Sequence, residues 1–236
     1  HLGAFTNLEF CEQNIDSTYR TNTLAVENAV YIANELGIPI LYISTAGIFD
    51  GQKDIYDDWD QPNPLGHYAR SKYAGETFVE KNTPRHIICR AGWMMGGGPK
   101  KDKKFIQKIM AQLKQGKREL FIVNDKLGTP TYTLDFANNV KSLVQKELWG
   151  LYNMVCSGVT SRFEVTQELI KVLGMADTIK ITPVQSDYWK KEYFAERPSS
   201  ERLINKKLEL RGLNQMRDWR ICLSEYIKHY YPEYFD

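Results

Sequence analysis

Ile38-Pro39-Ile40-Leu41-Tyr42-Ile43-Ser44-Thr45 is the stretch whose reading decides the fold. It is a short apolar run that ends in two hydroxyl residues, and that pattern suits a strand buried on both faces of a parallel sheet. Upstream, from about Ser17 to Leu36, the residues Leu24, Val26, Ala29, Val30, Ile32, Ala33 and Leu36 recur at helical spacing, and Gly37 is placed to end the helix. Downstream, a loop rich in Asp, Pro and Gly leads to a predicted helix from Tyr68 to Lys81. A second buried strand follows at His86-Ile87-Ile88-Cys89-Arg90-Ala91, then the turn Gly96-Gly97-Gly98-Pro99. The alternation continues with helices near Phe105–Gln115, Leu134–Gln145 and Phe163–Leu173, and strands near Glu119–Val123 and Gly150–Val155. Such alternation predicts an α/β fold with a Rossmann-like, doubly wound parallel sheet. The aromatic and charged residues after Lys180 predict a small mixed lobe. The expected division is 1–155 for nucleotide binding and 156–236 for substrate, with residues near 92–115 joining the second lobe.

Composition narrows the function. The 236 residues are 42% hydrophobic and 25% charged, enough for one sizeable core plus a lobe. With 31 basic and 29 acidic residues, the chain offers neither a nucleic-acid footprint nor a basic membrane surface. No apolar run is long enough to span a bilayer. Lys100, Lys101, Lys103 and Lys104 form the densest basic run, either a solvated turn or a wall for an anionic diphosphate. The four cysteines, Cys11, Cys89, Cys156 and Cys222, form no CxxC pair. Neither a metal site nor a disulfide framework is expected, and a reducing cytoplasm is the expected compartment.

Tyr68-Ala69-Arg70-Ser71-Lys72 brings chemistry to this frame. Of 14 tyrosines only Tyr68 has a lysine four residues on, which puts both side chains on one helical face. A cation about 4 Å from a phenol favours the phenolate by on the order of 4 kcal/mol at an effective dielectric of 20. Such a tyrosine can protonate a carbonyl oxygen, or deprotonate an alcohol in reverse. Thr45, at the carboxyl end of the predicted strand, lies where ligands meet such sheets. It is either a turn cap or a second donor to the same oxygen.

The motif Ile43-Ser44-Thr45 with Ile48-Phe49-Asp50-Gly51, followed by Pro64-Leu65-Gly66-His67-Tyr68-Ala69-Arg70-Ser71-Lys72, resembles the core of the extended short-chain dehydrogenases/reductases. Further stretches narrow the resemblance to the dTDP-4-dehydrorhamnose reductase family. These are Arg90-Ala91-Gly92-Trp93-Met94-Met95-Gly96, Gly128-Thr129-Pro130-Thr131-Tyr132-Thr133 with Asp135-Phe136-Ala137, Arg197-Pro198 with Ser200 and Leu203, and Asp218-Trp219-Arg220. The opening, Ala4-Phe5-Thr6 through Asn22, is similar to the segment after that family's fourth strand.

The resemblance implies an NAD(P)H-dependent reductase of a 4-keto nucleotide sugar in dTDP-rhamnose biosynthesis, with NADP or NAD as cofactor and a homodimer as a candidate assembly. It makes Tyr68 the proton donor, with Lys72 tuning it and holding the nicotinamide ribose and Thr45 assisting at the carbonyl. It also implies cofactor contacts at Ala4, Phe5, Ser44, Ala91 and Gly92, and substrate contacts at Thr45, Ala46, Trp93, Thr131 and Arg197. Trp93 is otherwise a core residue, Arg197 a surface ion-pair partner, and Thr131 and Tyr132 elements of a turn.

This chain departs from the family in four places, one of them Ala69 where the family has a glycine. Ala46-Gly47 stands where the family has an acid and an aromatic ring, which removes polar and stacking groups beside the sugar. Gly66 replaces a common asparagine. No GxGxxG or GxxGxxG occurs; two βα units, about 60 residues, are expected ahead of His1 to carry the pyrophosphate loop. These departures motivate a second reading as a non-catalytic sugar-nucleotide-binding or regulatory subunit, and a nucleotide-sugar epimerase shares the Tyr-Lys core.

Overall fold

The computed structural model describes residues 1–235. Its helices are α1 (Leu8–Gln13), α2 (Ile15–Tyr19), α3 (Ala25–Glu35), α4 (His67–Asn82), α5 (Gly98–Lys101), α6 (Phe105–Lys114), α7 (Thr133–Gln145), α8 (Arg162–Val172), α9 (Lys206–Leu210) and α10 (Trp219–Tyr230). Its strands are β1 (Ile40–Thr45), β2 (His86–Ala91), β3 (Trp93–Met95), β4 (Glu119–Val123), β5 (Leu127–Gly128), β6 (Pro130–Tyr132), β7 (Gly150–Asn153), β8 (Thr160–Ser161), β9 (Lys180–Val184) and β10 (Ser200–Glu201). The main sheet is parallel, in the order β1-β2-β7, with Thr45 level with Ala91 at its carboxyl edge. Helices cover both faces, which makes this the Rossmann-like α/β arrangement read from the alternation.

Every residue of β2 is buried, and successive side chains go to opposite cores. Ile88 joins Ile40, Tyr42, Val26, Val30 and Val79 under α3 and α4. Ile87, Cys89 and Ala91 join Phe136, Trp219, Cys222 and Tyr226 under α7 and α10. This second cluster crosses residue 155, so residues on both sides of that position share one core. A smaller parallel pair, β4 with β9, packs against α8 and carries the apolar face of α6 (Ile106, Ile109, Met110, Leu113).

One predicted helix differs in an informative way. The segment read as unbroken from Ser17 to Leu36 contains a π turn at Arg20–Leu24 between α2 and α3. Such turns often mark functional positions, because they redirect a side chain without ending the helix. Here the turn buries Asn22 against α4. Its Oδ1 accepts from Phe5 N–H at 2.8 Å, and its amide donates to Phe5 O at 3.0 Å and Ser71 Oγ at 3.1 Å. Close approach of α4 is possible because Gly75 has no side chain. A β-carbon there would lie 2.8 Å from both Asn22 O and Tyr42 Oη.

The polar loop between β1 and α4 is clasped to the chain around β10. Ser199 Oγ donates to Gly51 O at 2.8 Å, Arg202 meets Asp54 at 2.8 Å, and Tyr56 N–H donates to Arg202 O at 2.9 Å. Cys156 and Cys222, far apart in sequence, share one core, and the Cys222 thiol donates to Asp135 Oδ2 at 3.3 Å; all four cysteines are free thiols.

Gly75→Ala is expected to lower unfolding stability by about 1–3 kcal/mol through overpacking. Urea denaturation checks this; an unchanged midpoint would mean that α4 can move away from Asn22 freely.

Candidate active site

The carboxyl end of β1 and the start of α4 meet at Thr45 and Tyr68. The Thr45 hydroxyl accepts the Gly47 N–H at 3.1 Å, which leaves its own proton to donate elsewhere. Thr45 closes β1 and Tyr68 stands in the first turn of α4, and the Thr45 hydroxyl is the polar group that acts against the upward shift of the Tyr68 phenol. Burial pushes the Tyr68 phenol up to about 12; the Thr45 contact opposes this, and the Glu201 carboxylate adds to it. The expected lowering of the phenol by Lys72 does not prevail: desolvation of the phenolate leads, and Tyr68 stays protonated near neutrality, as a proton donor must.

Lys72 is 5% exposed. Burial lowers its ammonium to about 8, with Glu76 one turn further on opposing the shift. The ammonium lies 4.2 Å from the centre of the Tyr42 ring, a favourable cation–π position. Among the described residues it donates to no carbonyl or side-chain oxygen. Tyr42 in turn donates to Lys72 O at 2.9 Å and fixes that turn of α4. Below it, Glu76 forms a buried fork with Arg90 of β2, with N–O distances down to 2.6 Å.

Helix α4 begins at Gly66, which offers no capping side chain. Glu12 of α1 supplies the acceptor, taking the His67 N–H at 2.6 Å. A β-carbon at Gly66 would lie 2.6 Å from that same Glu12 oxygen. The glycine in place of asparagine is thus matched by a carboxylate from another helix, favourably placed at a helix N-terminus.

The remaining sequence candidates separate into two groups. Ser44 is 4% exposed, and its hydroxyl has no protein partner. Ala4 and Phe5 run beside α4, tied down through Asn22. Gly92 passes so close to Thr129 O that a β-carbon would stand 2.0 Å away, and Ala91 closes β2 just before it. Trp93 is half-buried at the site; its Nε1–H donates to Glu201 Oε2 at 2.6 Å, and its ring fills the space left by Gly128.

Two substrate-contact expectations are corrected. Thr131 is fully buried, and its hydroxyl accepts Gly92 N–H at 2.9 Å and donates to Met154 O, so it orders the turn before Trp93. Ala46 is 1% exposed and packs with Ile48, Phe49 and Val155 instead of facing a ligand. Tyr132 is likewise buried, with its hydroxyl on Glu225 at 3.2 Å.

Beside Trp93 lies a cationic group that sequence reading largely missed. The Arg162 guanidinium sits 3.8 Å from the Trp93 ring centre and 4.7 Å from that of Phe105. Among the described residues its side chain meets no hydrogen-bond acceptor. Burial holds it down to about 10; Glu201 opposes this shift, and Arg197 adds repulsion. Arg197 is paired with Glu9 at 2.6 Å. Of the lysine run only Lys104 turns this way, reaching Thr6 Oγ at 2.8 Å and close enough to Arg162 to be lowered by it, after burial and against Asp102. All four lysines of the run are exposed, and among the described residues Lys100, Lys101 and Lys103 make no hydrogen bond or ion pair with this group. Arg162 begins a helix whose capping box, Ser161 with Glu164, was the only local signal pointing to it.

The fold, with Thr45 at the carboxyl end of β1 and Tyr68 and buried Lys72 one turn apart on α4, defines a Rossmann-like α/β protein. The chain belongs to the family described as the RmlD substrate binding domain, whose family model matches residues 1–232. It is 30% identical over 230 residues to a dTDP-4-dehydrorhamnose reductase of Mycobacterium tuberculosis, covering 95% of this chain and 74% of that protein. It is similar to the crystal structure of dTDP-4-dehydrorhamnose reductase from Yersinia enterocolitica, at 31% identity and a TM-score of 0.89, covering 98% of this chain and 80% of that one. The enzyme from Bacillus anthracis, solved in complex with NADP, gives 28% identity and a TM-score of 0.89, covering 97% of this chain and 79% of that one.

Lys72 loses its proton near 8 when folded and near its ordinary 10.5 when unfolded. The burial cost is present in full below pH 8, and stability recovers as pH rises from 8 to 10.5, because there the unfolded chain binds the extra proton. Lys72→Met is therefore expected to be more stable than wild type at pH 7 by on the order of 3 kcal/mol, with the gap closing towards pH 10.5. Urea unfolding at both pH values checks this; a gap independent of pH would contradict it.

Proposed function

We propose that the protein reduces a 4-keto dTDP-sugar with NADPH, as the names of its relatives describe for them. The observation that carries this reading is the protonated Tyr68 at the start of α4 near Thr45 at the carboxyl edge of the sheet, with buried Lys72 one turn further along the same helix. Two hydroxyl donors converging on one carbonyl oxygen polarise it, and Tyr68 can deliver its proton as negative charge develops there. Lys72 lies one turn further along α4, with its ammonium against the Tyr42 ring, and adds positive charge on the same helix.

NADPH, when bound, supplies the hydride. The residues present suit it: the unpartnered Ser44 hydroxyl and the free Lys72 ammonium are donors for ribose or amide oxygens, and Gly92 lets the backbone pass closely. Arg162, without an acceptor of its own, suits a diphosphate, with Arg197 and Lys104 adding positive charge around it. In this reading residues 1–155 bind nucleotide cofactor, and 156–236 with 92–115 form the substrate lobe. A cytoplasmic enzyme fits the four free thiols, and a homodimer is the assembly we propose.

Tyr68→Phe removes the proton donor and keeps the ring. The variant is expected to lose about 10²- to 10⁴-fold in kcat, with an unchanged circular dichroism spectrum, in an assay of NADPH oxidation with dTDP-4-dehydrorhamnose. Retention of wild-type turnover would rule out the assignment.

A further inference from the structure

The acid and aromatic ring that the resembling family carries after its threonine are Ala46 and Gly47 here, and a carboxylate from a distant part of the chain stands in the gap. A β-carbon at Gly47 would lie 3.2 Å from Glu201 Oε1 and 3.5 Å from Thr45 Oγ. A side chain at position 47 and Glu201 in its observed place therefore compete for one space. Glu201 reaches the site because β10 pairs with β5, level with Gly128, whose missing side chain seats the Trp93 ring. Its Oε2 accepts the Trp93 indole N–H at 2.6 Å. The clasp of the loop after β1 on residues 199–204 holds it in place. Among the described residues, Oε1 accepts no hydrogen bond.

We propose that Glu201 is the sugar-recognition carboxylate of this site, with Oε1 accepting a hydrogen bond from a ring hydroxyl next to the carbonyl that Tyr68 and Thr45 address. The proposal rests on the nucleotide-sugar reading and adds a substrate class to it. An ionised carboxylate is an acceptor only. It selects neutral, hydroxyl-bearing hexoses and repels sugars that carry their own carboxylate. Glu201 meets the indole N–H of the Trp93 ring whose face carries Arg162, while its Oε1 lies beside Gly47, two residues from Thr45.

The test is calorimetric binding of dTDP-rhamnose, and of dTDP alone, to the full-length wild-type protein and to Glu201→Gln. Glutamine keeps the shape and an oxygen for Trp93 but lacks the charge. The expected result is about tenfold weaker dTDP-rhamnose binding, with dTDP binding unchanged. Equal dTDP-rhamnose affinity in the two proteins overturns the proposal. So does an equal loss for both ligands, which would make Glu201 a support for Trp93 only, and so does failure of the wild type to bind dTDP-rhamnose. NADPH turnover by the wild type is read separately. A Glu201-dependent sugar contact without turnover would remove the reductase reading and leave this contact standing.

Discussion

Holding a lysine ammonium almost out of water is costly, and much of the architecture around α4 serves to keep Lys72 there. Desolvation alone lowers its proton affinity, so the fold must supply compensating groups. The Tyr42 ring lies against the cation, Glu76 provides opposite charge one turn away, and Arg90 keeps Glu76 from being a lone buried carboxylate. Each of these is positioned by backbone packing: Tyr42 by β1, Arg90 by β2, and α4 itself by the contact at Gly75 with the π turn that carries Asn22. Removing either member of the buried Glu76–Arg90 pair would leave an uncompensated charge, which is more damaging than never having had the pair.

The same packing sets the reacting groups. Helix α4 starts where Glu12 caps it, and this fixes Tyr68 in its first turn beside Thr45. Burial then works in opposite directions on the two titrating groups, raising the phenol and lowering the ammonium. A donor that stays protonated beside a cation that is easily neutralised is an arrangement suited to handing one proton to a substrate oxygen. Elsewhere, the aromatic faces of Trp93 and Phe105 hold Arg162 in place without using its hydrogen-bond donors. In the proposed function Tyr68 is the proton-donating end and Arg162 the anion-accepting end, with Glu201 joined to Trp93 beside Arg162.

The main sheet and the placing of Tyr68 and Lys72 on one helix next to the end of β1 were legible because both depend on local pattern. The apolar runs at Ile40–Thr45 and His86–Ala91 declare buried strands, and the i,i+4 spacing of Tyr68 and Lys72 survives any small error in helix ends. What sequence reading missed depends on contacts distant along the chain. Nothing local links Gly47 to Glu201, Gly66 to Glu12, or Trp93 to Arg162, yet in each case a missing or flat side chain makes room for a charged one. Thr131 and Ala46 were misplaced for the converse reason. They sit in motifs that surround a site, but their side chains point into the packing beneath it. The π turn was hidden because the apolar periodicity on either side of it stays helical.

The central claim is that Tyr68, Thr45 and Lys72 form a working ketone-reducing site. The most direct test follows the hydride: full-length protein is given dTDP-4-dehydrorhamnose and NADPH deuterated at the transferred position, and the sugar product is read by mass spectrometry and NMR. The account predicts one deuterium per molecule, on the carbon that bore the carbonyl, with NADPH consumed in equal amount. Tight binding of the sugar nucleotide with no NADPH consumed and no label transferred would contradict it and mark the protein as a binding subunit.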